Sequence, residues 1–164
     1  ANVVGDIAVK LDSPALFKEY YKDEERTKIS RRGDYYVTGD RARKDENGYF
    51  WFEGRSDDII ISSGYTIGPF EVEDALVKHS AVQECAVVGS PDEIRGSIVK
   101  AYVVLKDNVN KDRTELVKEL QEHTKNLTAP YKYPREIEFI DELPKTTSGK
   151  IRRVELRQRE KAKM

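Results

Sequence analysis

Residues 57–79 read DDIIISSGYTIGPFEVEDALVKH, and this stretch decides the fold. Its first part, DDIIISSG, is an apolar strand running into a glycine-containing loop. Pro69 then opens a helix, because its ring presets φ and its missing N–H costs nothing at a first helical position. Val72, Ala75, Leu76 and His79 fall on one face at helical spacing. Downstream, ECAVVG (84–89) and SIVKAYVVL (97–105) read as two strands joined by the turn SPDEIRG (90–96). Asp112 and Glu115 form a capping box for a second helix, with Leu116, Leu120 and Leu127 along its buried stripe. REIEFI (135–140) alternates as a half-buried strand, and the basic stretch after it reads as helical. This order of elements predicts an α+β domain over residues 57–164, with helices packed on an approximately three-stranded sheet.

Upstream the text changes to short strands and turns. GDIAVKL (5–11) alternates, KDEERTKISRRGD (22–34) reads as a charged loop, and YYVTGD with DENGYFWFEGR reads as a β-hairpin turning at Asn47-Gly48. Residues 1–56 are therefore expected to be a β-rich remnant that finishes a larger N-terminal domain. At 164 residues, 38% hydrophobic and 36% charged, the chain is long and apolar enough for a packed core. The net charge of -1 argues against whole-surface attraction to nucleic acid. No apolar run approaches the ~20 residues of a bilayer span, and no secretory signal pattern opens the chain. The single cysteine, Cys85, excludes an internal disulfide and suits a reducing compartment. Within CAVV it reads as a small core residue, not a nucleophile.

Four motifs carry chemistry. YVTGD (36–40) ends a strand on Asp40, whose carboxylate could accept two hydrogen bonds from a ribose diol while Gly39 lets backbone approach; the plainer reading is a turn. GRSDDIIISSGYTIGPFEVE (54–73) offers Arg55 as a planar fork for ribose or phosphate oxygens, and Asp57 with Asp58 where the two parts meet. Its Ser62, Ser63 and Gly64 form a loop able to pass close to a narrow ligand. APYKYPR (129–135) sets Tyr131, Lys132, Tyr133 and Arg135 on a proline-stiffened ribbon, suited to a nucleotide base and phosphates or simply to a surface loop. PKTTSGKIRR (144–153) places Lys150 after Gly149, in a loop able to project one ammonium. From residue 145 onward eight lysines and arginines stand against two glutamates, which as a charge run reads as a solvated tail.

In order and spacing these four motifs resemble the C-terminal part of the adenylate-forming (ANL) superfamily, and in particular its short- and medium-chain acyl-CoA synthetases. The resemblance implies an AMP-forming acid-thiol ligase of fatty acid metabolism, using ATP, coenzyme A and Mg2+, whose small domain swings between two half-reactions. Lys150 would be catalytic, bridging the substrate carboxylate and the nucleotide. Asp40, Arg55 and Lys150 would bind ATP or AMP, and Asp57 would be the hinge. Ser63, Gly64, Tyr65, Arg95, Lys125, Tyr133, Pro134 and Arg135 would contact coenzyme A. No protein-bound metal is expected on this chain, Mg2+ being held mainly by the N-terminal domain. Thr66 departs from the arginine that many relatives carry at this point, so a phosphate-reaching charge is replaced by a hydroxyl.

The implied partners are the N-terminal domain of the same polypeptide, a small carboxylic acid, ATP and coenzyme A, with no nucleic acid and no membrane span. The implied location is cytoplasmic, or the mitochondrial matrix if a transit peptide precedes residue 1. By itself the chain is expected to be inactive. The alternatives are the same part of a peptide-synthetase adenylation domain or a luciferase, or a non-enzymatic nucleotide- or coenzyme A-binding module. From Arg157 onward the basic stretch is expected to remain solvated.

Overall fold

The computed structural model describes residues 2–163. The chain divides into two compact units, Ala1–Asp57 and Asp58–Met164.

The first unit is a small antiparallel sheet. β3 (Tyr35–Lys44) is its central strand, pairing with β1 (Val4–Lys10), β2 (Arg31–Arg32) and β4 (Phe50–Arg55). The β3–β4 hairpin turns as its sequence predicts. Gly48 takes a φ of +89°, and the Asp45 carboxylate accepts the Asn47 and Tyr49 N–H groups and the Trp51 indole N–H. These bonds, the indole's first, hold the Asp45 carboxyl below its ordinary value. Within the charged stretch 22–34 the structure corrects the expected loop: α1 (Glu24–Ile29) is a short helix capped by the Asp23 carboxylate, which accepts the Arg26 N–H at 3.0 Å. It buries no residue, so no apolar period announces it. Among the described residues Ala42 is the one hydrophobic side chain of this unit in the core.

The second unit has the α+β architecture expected for residues 57–164, beginning one residue later, at Asp58. β5 (Ile60–Ser62) and β6 (Tyr65–Ile67) form a hairpin, α2 (Pro69–Val77) follows, and β7 (Val82–Asp92), β8 (Gly96–Leu105) and β9 (Glu136–Phe139) make a three-stranded sheet in that order. β7 and β8 are antiparallel, whereas β8 and β9 are parallel and need the crossover that α3 (Arg113–Leu127) supplies. α4 (Arg153–Lys161) closes the chain.

Strand alternation gives the sheet two apolar faces. Cys85, Val87, Val99, Ala101 and Val103 meet Ile60, Ile67, Val72, Leu76, Leu116 and Leu120 on one side. Ala86, Val88, Tyr102 and Val104 meet Leu143, Leu156 and Ile151 on the other. The hairpin, α2 and α3 thus cover one face, and α4 with the segment before it covers the opposite one. Fully burying each such aliphatic side chain contributes roughly 1.5–3 kcal/mol, which makes this sheet the stable scaffold of the unit.

Two expectations are corrected here. Leu127 is half exposed, and Thr124 takes the buried place after Leu120, its hydroxyl donating to the Leu120 carbonyl at 2.8 Å. The basic stretch from Arg157 is solvated only in part: Gln158, Arg159, Lys161, Ala162 and Lys163 are exposed, whereas Arg157 and Glu160 are not. α4 buries Leu156 and Glu160, and Arg157 pairs with Asp58.

Candidate functional site

In the first unit the sheet register sets Asp40 opposite Arg55 across β3 and β4. The Arg55 guanidinium donates to Asp40 Oδ1 at 3.3 Å and, through Nε, to Asp57 Oδ1 at 3.1 Å. Gly39, at a φ of +83°, makes this possible: a Cβ there would lie 3.0 Å from Arg55 Nη2. The Gly39 carbonyl accepts the Ser56 N–H at 2.8 Å, and Ser56 Oγ donates to Asp6 at 3.2 Å, so the segment leading to Asp57 is anchored on its own sheet. Asp40, Arg55 and Asp57 are therefore gathered, partly exposed, within one unit.

In the second unit the loop at residues 62–65 turns on two left-handed residues, Ser63 (φ +49°) and Gly64 (φ +82°). A serine is strained in that region and needs outside support. Arg95 supplies it from the β7–β8 turn: its carbonyl accepts the Ser63 N–H at 3.0 Å, and its guanidinium donates to Ser63 Oγ at 3.2 Å. Tyr65 stacks on Tyr131 with ring centroids 4.3 Å apart, which joins this loop to the ribbon at 129–135. On the ribbon Lys125 Nζ lies 4.4 Å from the Tyr133 ring centre, and Arg135 donates to the Tyr133 hydroxyl at 3.1 Å. Pro134 is buried, and Gln121 holds its carbonyl and that of Arg135 at 3.1 Å each. Ser63, Gly64, Tyr65 and Arg95 are one connected group, and Lys125, Tyr133, Pro134 and Arg135 a second, joined to it through Tyr131. Cations beside rings in this pattern suit an aromatic, phosphorylated ligand.

Lys150 sits on a small hairpin closed by the bridge between Lys145 and Ile151. The Thr146 N–H donates to the Lys150 carbonyl at 2.8 Å, the Lys150 N–H to Thr146 Oγ1 at 3.1 Å, and Gly149 turns at a φ of +83°. Ile151 packs against the sheet face that α4 covers. The hairpin backbone is thus fixed while the Lys150 side chain is exposed.

The charged residues that hold this arrangement were not legible in the sequence. Glu73 on α2 is buried, accepts the Val87 N–H on the free edge of β7 at 2.8 Å, and is gripped bidentately by Arg153 at 2.7 to 3.1 Å. An edge N–H satisfied in this way no longer invites another strand. At the other end of α4, Glu160 accepts from Ser90 Oγ at 2.7 Å, Tyr102 Oη and Lys163, and lies 3.0 Å from Lys100 Nζ. Lys100 also reaches Glu138 at 2.8 Å. Burial opposes the charge of Glu160, but these donors overcome it and pull the carboxyl down to about 2. Lys100 is likewise desolvated, yet Glu138 and Glu160 push its ammonium above the ordinary range.

Cys85 is buried as expected. Burial first, then the nearby Glu73 charge, raises its thiol to about 12. A maleimide is expected to leave Cys85 unlabelled in the native protein at neutral pH and to react once denaturant opens the second unit. Native labelling at the rate of a free thiol would contradict this placement.

Among the described residues no group of three or more His, Cys, Asp and Glu side chains converges on a metal position, and no helix is long and apolar enough to cross a membrane.

Residues 71–150 match the family of the AMP-binding enzyme C-terminal domain. Over 157 residues the chain is 77% identical to YtcI, an uncharacterized acyl-CoA ligase of Bacillus subtilis (strain 168), covering 96% of this chain and 30% of that protein. It is 58% identical over 160 residues to the mitochondrial acyl-coenzyme A synthetase ACSM3 of Rattus norvegicus, covering 95% of this chain and 28% of the relative. The solved structure of the anthranilate CoA ligase AuaEII in complex with anthranoyl-AMP is similar over all of this chain and 32% of that one, at a TM-score of 0.85 and 37% identity. The chain is thus similar to the C-terminal part of adenylate-forming enzymes of the acyl-CoA synthetase type. It spans about 30% of the length of these curated relatives.

Proposed function

We propose that this chain is the mobile C-terminal part of an AMP-forming acyl-CoA synthetase and serves two half-reactions with two faces. In the first, a carboxylate oxygen attacks the α-phosphorus of ATP, the bond to the β-phosphate breaks, and pyrophosphate leaves an acyl-adenylate. Lys150 places its ammonium between the two anions as they meet, offsetting their repulsion. Asp40 accepts hydrogen bonds from the ribose hydroxyls, with Arg55 beside it. In the second half-reaction the coenzyme A thiol attacks the acyl carbon and AMP departs. Ser63, Gly64 and Tyr65 line the pantetheine path, and Arg95, Lys125, Tyr133, Pro134 and Arg135 meet the nucleotide end. Residues 57–164 swing between the two states about Asp57, residues 1–56 staying with the larger domain. Mg2+ would accompany the phosphates, held mainly by residues of the larger domain.

The observation that carries the reading is the division of the β5–β6 hairpin and the Lys150 hairpin between the two sheet faces. The β5–β6 hairpin packs on one face and the Lys150 hairpin on the other, so a single bound nucleotide could not meet both without a rotation. The small core of the first unit also supports a larger partner domain in the same polypeptide. We place the whole enzyme in the cytoplasm, with the mitochondrial matrix as the alternative suggested by the rat relative's printed location.

The test uses the full-length polypeptide carrying this chain at its C-terminal end. It is expected to form acyl-CoA and AMP from a carboxylic acid, ATP and coenzyme A, whereas the 164-residue chain alone gives no ATP–pyrophosphate exchange. Robust exchange by the isolated chain, or no thioester from the full polypeptide across straight-chain acids of increasing length, would overturn the reading.

A further inference from the structure

We propose that Arg157 is a positioning residue for Lys150: by pairing with Asp58 it ties α4 to the first residue of the second unit, so that the Lys150 hairpin moves as one body with the backbone there. The inference rests on the reading of Lys150 given above. Arg157 and Asp58 are an ion pair between side chains only 22% and 9% exposed, far from the usual state of a basic C-terminal helix. Exposed pairs contribute little to stability, but a pair withdrawn from water fixes geometry.

α4 is held at every turn. Arg153 grips Glu73 at the first, Leu156 is fully buried at the second, and Glu160 is enclosed by Ser90, Tyr102 and Lys100 at the third. Arg157 lies one helical turn from Arg153 and shares its side of the helix. Immediately before α4, the Arg152 N–H donates to the Pro144 carbonyl at 2.8 Å, closing the hairpin that carries Lys150. The path from Asp58 to Lys150 therefore runs through Arg157, one rigid helix and one closed hairpin. The alternative path, through β5, leads into the opposite face of the sheet. Loosening the Arg157 anchor would then free the backbone at Asp58 from the body that carries Lys150, and so blur where Lys150 sits relative to Asp58, while α4 stays seated through Arg153, Leu156 and Glu160 and the loop at 62–65 on its own core.

The test compares Arg157→Ala, Arg157→Lys and Asp58→Asn in the full-length polypeptide, with Lys150→Ala as the control. ATP–pyrophosphate exchange reads the first half-reaction, thioester formation from supplied acyl-adenylate reads the second, and thermal melting checks the fold. Arg157→Ala and Asp58→Asn are expected to lower kcat for exchange by about 10- to 100-fold, with the KM for ATP and the second half-reaction within about threefold. Arg157→Lys should recover part of the loss. Equal loss in both half-reactions, whether from unfolding or otherwise, overturns the positioning role, as does no loss in either. If Lys150→Ala itself spares exchange, the reading of Lys150 fails instead, whatever Arg157 does.

Discussion

Lys150→Ala in the full-length polypeptide is expected to lower ATP–pyrophosphate exchange by about 100- to 1,000-fold, the scale seen when one preorganised group facing transition-state charge is removed. Thioester formation from supplied acyl-adenylate should stay within about threefold, because on the proposed reading that step uses the other face of the sheet. The structure makes the substitution a clean one. The hydrogen bonds of Lys150 that close the hairpin are made by its backbone N–H and carbonyl, and its side chain is exposed, so truncation leaves the hairpin closed. A stability change beyond about 0.5 kcal/mol is not expected at such a site. Lys150→Arg keeps the charge but spreads it over a planar fork, and should fall between the two. Loss of both half-reactions to the same extent, with melting unchanged, would mean that the two faces do not alternate. Retention of exchange would remove Lys150 from the chemistry altogether.

How much of this was legible in the sequence depends on the distance over which each feature is decided. The central strands were legible because ECAVVG and SIVKAYVVL are apolar on both sides of their alternation, which suits a sheet covered on two faces. α2 and the start of α3 were legible from Pro69 and Asp112, whose effects are local. α1 has six residues and no buried side chain, and β6 has three, so neither repeats an apolar period often enough to detect. The charges of α4 were misread for a different reason. Glu73 and Asp58, the partners of Arg153 and Arg157, and Ser90 and Tyr102 on Glu160 lie between 58 and 99 residues away, and a lysine-rich run reads the same whether water or a buried carboxylate receives it. For the candidate site, the order of motifs named its residues one at a time. That Asp40 and Arg55 face each other depends on the register of β3 and β4, and that Ser63 is propped by Arg95 depends on two turns meeting across the fold.

The same buried carboxylate sets the largest stability effect expected from one substitution. Glu160→Ala leaves Lys100, itself 5% exposed, without one of its two closest carboxylates, and strips the acceptor from Tyr102 and Ser90. Breaking a buried pair by deleting one partner costs about 3–5 kcal/mol, which for a unit of this size lowers Tm by on the order of 10 °C or more. The double variant Lys100→Met/Glu160→Leu should be less destabilised than Glu160→Ala, because no uncompensated charge remains. The pH dependence has a definite sign. Glu160 is held down to about 2 in the folded protein against an ordinary value near 4.5, so its contribution is complete above 4.5 and is lost as pH falls from there through 2. Lys100 is raised, so its contribution is complete below its ordinary value and is lost only as strong alkali deprotonates the folded form. Wild-type stability should therefore drop in acid more steeply than that of Glu160→Ala, and urea unfolding between pH 2 and pH 7 measures the difference. If the two curves run parallel, or if Glu160→Ala shifts Tm by less than about 2 °C, then Glu138 and Glu136 satisfy Lys100 and α4 is held by its apolar contacts and Arg153 instead.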